Sequence, residues 1–254
     1  MAVDPPVLYN NCWVYLRDMI GTGLGSSHLN PSDFQIHNAY RIRAGLQSIG
    51  YGPKAIAGVI GNAQVESGIT TGAIGAPGLL PNGAETLSDV PTSYMYQYYL
   101  APSGGMGRTV GFLQWDRTSG GRNDLINFSN NYNLVWYDLD TQIFRLQREY
   151  DTDDTYHFWR LNYGNALTWA VYKDIENSQF SHYDAGECAA VWDSCWELSS
   201  GQGREFRRDN ANFWYQYFID HPNPPPTPGT GLDPWMYFLF NNRKKVRKNV
   251  KRWI

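Results

Sequence analysis

The segment PKAIAGVIGNAQVESG, residues 53–68, constrains the fold more than any other stretch of the chain. Pro53 stands where a helix tolerates proline, in the first turn, whose N–H groups have no intrahelical partner. Ile56, Val59, Ile60 and Ala63 recur at the three- and four-residue spacing of one helix face, and Gly68 follows as a stop signal. A helix with so apolar a face needs other elements to cover it. Upstream, Ser32 and Gln35 have the spacing of a capping box, and Ile36, Ala39, Tyr40, Leu46 and Ile49 give a looser helical pattern that ends at Gly50. Downstream, DLINFSNNY, DLDTQIFRLQREY, NALTWAVYK, AGECAAVWDSCWEL and REFRRDNANFWYQYFI each read as a helix, two of them behind acidic starts at Asp138 and Asp184. The stretch between, residues 69–110, is rich in Gly, Pro, Thr and Tyr. The predicted class is therefore mostly α (α+β), with a small irregular or β insertion after the second helix. A loop region of that length inside a compact domain usually has a function.

Composition excludes several classes. At 254 residues and 42% hydrophobic, the chain can bury a sizeable core, which rules out wholesale disorder. No run approaches the roughly 18 apolar residues of a membrane span. The opening MAVDPPVLYNNCWVYLRD has an early Asp, a proline pair and no basic n-region, so it does not read as a signal peptide. Three cysteines, Cys12, Cys188 and Cys195, are too few and odd in number for a disulfide framework, and the last two read as buried thiols on one helix face. The histidines have no metal-ligand spacing, and no phosphate loop or Ser/His/Asp signature is present, so neither metal nor cofactor is expected.

The net charge of -3 conceals two unlike parts. From Arg243 the chain runs RKKVRKNVKRWI, with seven Lys/Arg and no acid, so residues 1–242 hold 14 Lys/Arg against 24 Asp/Glu. Between body and tail lies PNPPPTPGTGLDP, a linker composition. The expected layout is an irregular lead-in over 1–30, a domain over 31–221, a proline-rich linker over 222–234 and an apolar, basic tail over 235–254. The tail suits docking to a neighbouring subunit or contact with an anionic membrane, and nucleic acid less well.

Two places carry candidate chemistry. Glu66 lies in the last turn of the second helix, at the edge of its apolar face, where the helix dipole disfavours an anion. The GITTG that follows turns the chain abruptly, which allows the carboxyl to face a cleft. Glycosidic cleavage needs a carboxylic acid so placed, because the leaving oxygen must be protonated. The second place is GFLQWD, Gly111 to Asp116. Gly111 permits close backbone approach to a ligand, Gln114 offers an amide to sugar hydroxyls, and Trp115 is either a flat face for a sugar ring or a core aromatic.

AIAGVIGNAQVESGI followed by GFLQWDRTSGGRNDL resembles the phage tail lysozyme family, a branch of the lysozyme-like superfamily. DLDTQIFRLQREY and VWDSCWELSS…REFRRDNANFWYQYF resemble that family's later helices, so the likeness spans roughly residues 34–220. It implies a lysozyme-like fold and a virion-associated muramidase that cleaves the β-1,4 bond between MurNAc and GlcNAc in peptidoglycan. Glu66 would be the catalytic acid, and Gly111, Gln114 and Trp115 the substrate-binding element. Glycan strands and other tail subunits would be the partners, and the phage tail the location. The chain departs from the pattern in a long, Tyr-rich segment between the motifs and in having no Asp at a short fixed distance after Glu66. Glu85, Asp89 and Asp116 are the candidates for a second carboxylate. With one carboxylate the resemblance equally allows a lytic transglycosylase, and loss of catalysis would leave a glycan-binding or structural virion protein.

Overall fold

The computed structural model describes residues 7–9, 12–14, 29–70, 74–77, 107–116, 125–157, 167–197, 201 and 203–225. It is mostly helical. The helices are α1 (Asp33–Ser48), α2 (Pro53–Ser67), α3 (Leu125–Asn131), α4 (Leu139–His157), α5 (Trp169–Lys173), α6 (Ala185–Cys195) and α7 (Arg204–Asp220), with a 3-10 turn at Ile175–Asn177. The segments read as helical contain these helices, although within NALTWAVYK the helix begins only at Trp169, behind Thr168 as its cap. The capping box at the head of α1 is present, with Gln35 N–H donating to Ser32 Oγ and Ser32 N–H to Gln35 Oε1. Asp184 and Glu187 make a second one on α6, which the acidic start foreshadowed.

The centre of the molecule is α2, packed against α6 and α7. Its sequence shows one apolar face, but the helix is buried almost all round, from Ala55 to Val65. Small residues make this possible. A Cβ on Gly61 would lie 2.7 Å from the Ala211 nitrogen and the Arg207 carbonyl of α7, and one on Gly58 would lie 2.9 Å from the Cys188 backbone of α6. Glycine at these two positions lets three backbones approach to near contact, so α2 has no solvent face along most of its length. Polar side chains on it must then find partners. Gln64 accepts from the Trp214 indole N–H at 2.6 Å, and Asn62 donates to the Ala189 carbonyl at 3.1 Å.

Trp136, Trp169, Trp192 and Trp214 are all core residues, and Cys188 and Cys195 are buried free thiols. Within the lead-in, expected to be irregular, strands β1 (Val7–Tyr9) and β2 (Cys12–Val14) pair antiparallel, Tyr9 opposite Cys12. Apolar and aromatic residues on either side of an Asn pair are a hairpin signal that the Pro- and Gly-rich surroundings mask. Cys12 packs onto α1, its Sγ 3.2 Å from Asn38 Oδ1. Three further short strands, β3 (Ile74–Pro77), β4 (Gly107–Val110) and β5 (Trp115–Asp116), pair antiparallel in that order. The insertion between β3 and β4, with Glu85 and Asp89, lies outside the described residues, as do the linker beyond Pro225 and the basic tail. The C-terminal end of α7 is tied back to α1, where Tyr40 OH donates to the His221 carbonyl.

Candidate active site

The last turn of α2 sets the site. Gly68 caps the helix in the left-handed conformation at φ +65°, and Ile69 follows it at φ +64°. A β-branched residue there is strained, and such strain persists only where neighbours over-determine it. Here α1 does so. Asn38 donates to the Ile69 carbonyl at 2.9 Å and Gln35 to the Gly68 carbonyl at 3.2 Å, while the Ile69 side chain is fully buried. The chain thus reverses immediately after Glu66, as the GITTG reading anticipates.

Glu66 projects from this clamped turn with 23% of its side chain exposed. Its Oε1 accepts a hydrogen bond from Arg207 Nη2 at 2.5 Å. Arg207, on α7, is 2% exposed and is held on two further sides. Nη1 donates to Asn62 Oδ1 at 2.9 Å, and Nε ion-pairs with Asp193 Oδ1 of α6 at 3.1 Å. Asp193 is fully buried and takes a second cation, Arg204, through Oδ2 at 3.1 Å. Three helices therefore converge on one carboxylate, and the guanidinium supplies the positive charge that offsets an anion at a helix C-terminus.

Glu197, just past α6, belongs to the same cluster. Its carboxyl is pushed well above the usual range by burial first and by the negative charge of Glu66 second, while Arg207 works in the opposite direction. One of its oxygens, Oε1, is buried without a hydrogen-bond partner.

The Gly111–Asp116 element is built differently. Gly111 and Gln114 have φ of +87° and +54°, and Gln114 N–H closes the turn onto the Gly111 carbonyl at 3.1 Å. A Cβ on Gly111 would lie 2.9 Å from the Trp115 ring and 3.0 Å from Gln142 and Leu125. Its glycine is needed for internal packing. Gln142 of α4 clamps the turn, accepting from Phe112 N–H at 2.9 Å and donating to the Trp136 carbonyl at 2.9 Å.

Residues 37–218 match the family model described as Phage tail lysozyme. The chain belongs to the phage tail lysozyme family. This is a family of lysozyme-type glycosidases, and peptidoglycan is the substrate class that goes with it. The match takes in both the α2 turn and the Gly111 turn, which separates their contributions.

Trp115 is 1% exposed, packed edge-on against Phe112 and Trp196, and its indole N–H donates to Glu149 Oε1 at 2.7 Å. It is the core aromatic of the two readings, since its ring is committed to protein neighbours and offers no face to a sugar. Glu149 also accepts from Trp196 at 3.0 Å and pairs with Arg145 at 3.1 Å, and burial pushes its carboxyl up. Of Gly111, Gln114 and Trp115, only Gln114 is partly exposed, its Nε2 donating to the Gly111 carbonyl at 2.9 Å. Asp116 pairs through its backbone with Thr109, and its side chain lies outside the described residues along with Glu85 and Asp89. Reading the sequence alone misses Asn62, Asp193, Glu197 and Arg207. A signal was there: Asn62 and Glu66 are one turn apart, and Asp193 is a lone acid inside the apolar AAVWDSCW.

Proposed function

We propose that the domain is a muramidase of a phage tail that cleaves the MurNAc–GlcNAc β-1,4 bond, with Glu66 as general acid and residues 31–221 as the catalytic unit. The observation that carries this reading is a partly exposed carboxylate at the end of a buried helix, held by an arginine of α7 that is itself fixed by Asn62 of α2 and Asp193 of α6. Cleavage leaves Glu66 negative once its proton has gone to the leaving oxygen. Arg207 is already in place to stabilise that charge, so no reorganisation is needed as it develops. Gln114 is the member of the second motif suited to a sugar hydroxyl, because it is partly exposed. The small β element beside the cleft, delivery on a virion and attachment through the basic tail belong to the same proposal. Among the described residues no helix is long and apolar enough to cross a membrane.

Glu66→Gln tests the assignment. It keeps the shape and a hydrogen-bond acceptor for Arg207 but has no proton to give at the acid step. Clearing of peptidoglycan should fall by a factor of at least about 10², with the thermal midpoint nearly unchanged. Undiminished clearing removes Glu66 from the mechanism. Mass spectrometry of wild-type products separates the two chemistries, reducing ends marking hydrolysis and anhydro ends marking transglycosylation.

A further inference from the structure

Glu149 of α4 is buried and holds two tryptophans from distant parts of the chain. Its Oε1 accepts from the Trp115 indole N–H at 2.7 Å, and its Oε2 accepts from the Trp196 indole N–H at 3.0 Å. Arg145, one turn back on the same helix, pairs with Oε1 at 3.1 Å. The two indoles also meet each other edge to face, with ring centres 5.9 Å apart. A carboxyl group suits this place because it offers a separate acceptor oxygen to each indole donor. Each tryptophan also stands next to a part of the site. Trp115 follows Gln114, and α4 grips the chain on both sides of that residue. Gln142, two turns before Glu149 on the same helix face, accepts from Phe112 N–H at 2.9 Å. Gln114 is thereby held from both sides while its own side chain stays partly exposed. Trp196 caps the C-terminus of α6, its backbone N–H donating to the Trp192 carbonyl at 2.8 Å and its ring stacked on Trp192. The last turn of α6 carries Asp193, which pairs with Arg207 at 3.1 Å, and Arg207 pairs with Glu66 at 2.5 Å. Hydrogen bonds, ion pairs and one helical turn thus join the turn that carries Gln114 to the carboxylate of Glu66, and Glu149 is the joint.

We propose that Glu149 is a positioning residue that sets Gln114 in register with Glu66, so that a sugar held by the amide meets the acid at its leaving oxygen. The inference rests on the reading of Glu66 as general acid and Gln114 as sugar-binding. Glu149 is buried and acts only through the two indoles. Gln114 lies in a turn with a left-handed backbone, and Glu66 at the end of a helix more than forty residues earlier in the chain. Nothing local in sequence fixes one against the other, so a remote group must. Groups that act on one substrate have to be held within a fraction of an ångström, and partners that lock their supporting side chains are what achieve it.

The test uses the full chain with Glu149→Gln. The variant keeps the shape but has one acceptor oxygen and an NH2 group, so one of the two indoles faces a donor instead of an acceptor. With soluble peptidoglycan strands as substrate, KM should rise about three- to tenfold, the worth of one weakened hydrogen bond, while kcat stays within about twofold. In a Gln114→Ala background the same substitution should leave KM where Gln114→Ala alone puts it, because the two act as one unit. A KM that does not move in Glu149→Gln overturns the proposal, and so does an equal rise with and without Gln114, which marks a merely structural role. Trp196→Phe keeps the ring and removes only the α6 end of the bridge; it carries the same expected pattern and takes the place of Glu149→Gln should that variant fail to fold. On the same proteins, NMR reads the Gln114 side-chain amide and the Arg207 Nε–H. Both signals should shift in Glu149→Gln, since one lies on each side of the joint. Shifts confined to the Trp115 and Trp196 indoles overturn the proposal. A Gln114→Ala variant with unchanged KM, or a wild type that cleaves no strand, would instead overturn the reading of the site, while the NMR comparison still decides whether Glu149 joins its two sides.

Discussion

The α2 turn and the Gly111 turn share a geometry and divide in chemistry. Each contains a left-handed glycine and a left-handed non-glycine residue, Gly68 with Ile69 and Gly111 with Gln114. Each is clamped by an amide from another helix, Asn38 of α1 in the first and Gln142 of α4 in the second. Past that point they diverge. The first turn presents a carboxylate, part-exposed, to a network of buried charges. The second turns its aromatic inward onto Glu149 and Trp196. Both lie within the matched family region, yet one holds a part-exposed carboxylate in an ion-pair network and the other is packed into the core. A motif shared by a family therefore marks what the fold requires as well as what the reaction requires.

The largest contrast should come from activity. Glu66→Gln should abolish clearing with little change in stability, whereas Trp115→Phe should keep most of the activity at a cost in stability. If Trp115→Phe instead binds glycan weakly while remaining as stable as wild type, the ring does meet the sugar and the division between the turns fails.

The next effect concerns stability on the α2 side. Arg207→Leu leaves Asp193 and Glu66 without their shared cation, and breaking a buried pair from one side costs about 3–5 kcal/mol. Denaturant unfolding measures it. A loss below about 1 kcal/mol, the value of a surface pair, would mean that the network is not the structural anchor of the site.

On the other side, Gly111→Ala meets both obstacles to a side chain, a φ of +87° and neighbours at 2.9–3.0 Å. It should cost about 1–3 kcal/mol, with activity falling only as far as folding does. Trp115→Phe removes one of the two donors to Glu149 Oε1 and leaves Arg145 as the other, a loss of about 0.5–1.5 kcal/mol, the net worth of one hydrogen bond. Unfolding midpoints of the two variants rank them, and a Gly111→Ala protein as stable as wild type would show that the turn is looser than its contacts imply.

Much of this was legible in the sequence because periodicity and capping are local. Pro53, Gly68, Asp184 and the apolar spacing of α2 each act within a few residues, and each forms as read. Glu66 was legible because its position at a helix end follows from the same local grammar. The charge network was not, since Arg207 lies 141 residues from Glu66 and meets it only after α7 packs on α2. The fate of Trp115 was not either: its two readings differ only in whether Glu149 and Trp196, remote in sequence, close over the ring. Side-chain type names what a residue is able to do, and packing decides which ability is used.

The smallest effect divides the two regions by pH. Each holds a carboxyl raised by burial, Glu149 beside the Gly111 turn and Glu197 beside Glu66. A carboxyl raised in the folded state binds its proton more tightly there than in the unfolded chain. Its contribution is fully present below the unfolded value of about 4.5 and is lost as pH rises through the folded value. Stability should therefore decline with pH above the ordinary carboxylate range, by at most about 1.4 kcal/mol per pH unit for each group. Glu149→Gln should remove the share belonging to the Gly111 turn, and Glu197→Gln the share belonging to the α2 turn. Because Glu197 is also coupled to Glu66, the Glu197 share should shrink in a Glu66→Gln background while the Glu149 share stays constant. Equal responses of both shares to Glu66→Gln would mean that the two regions are one electrostatic unit, and the division drawn between them would have to be abandoned.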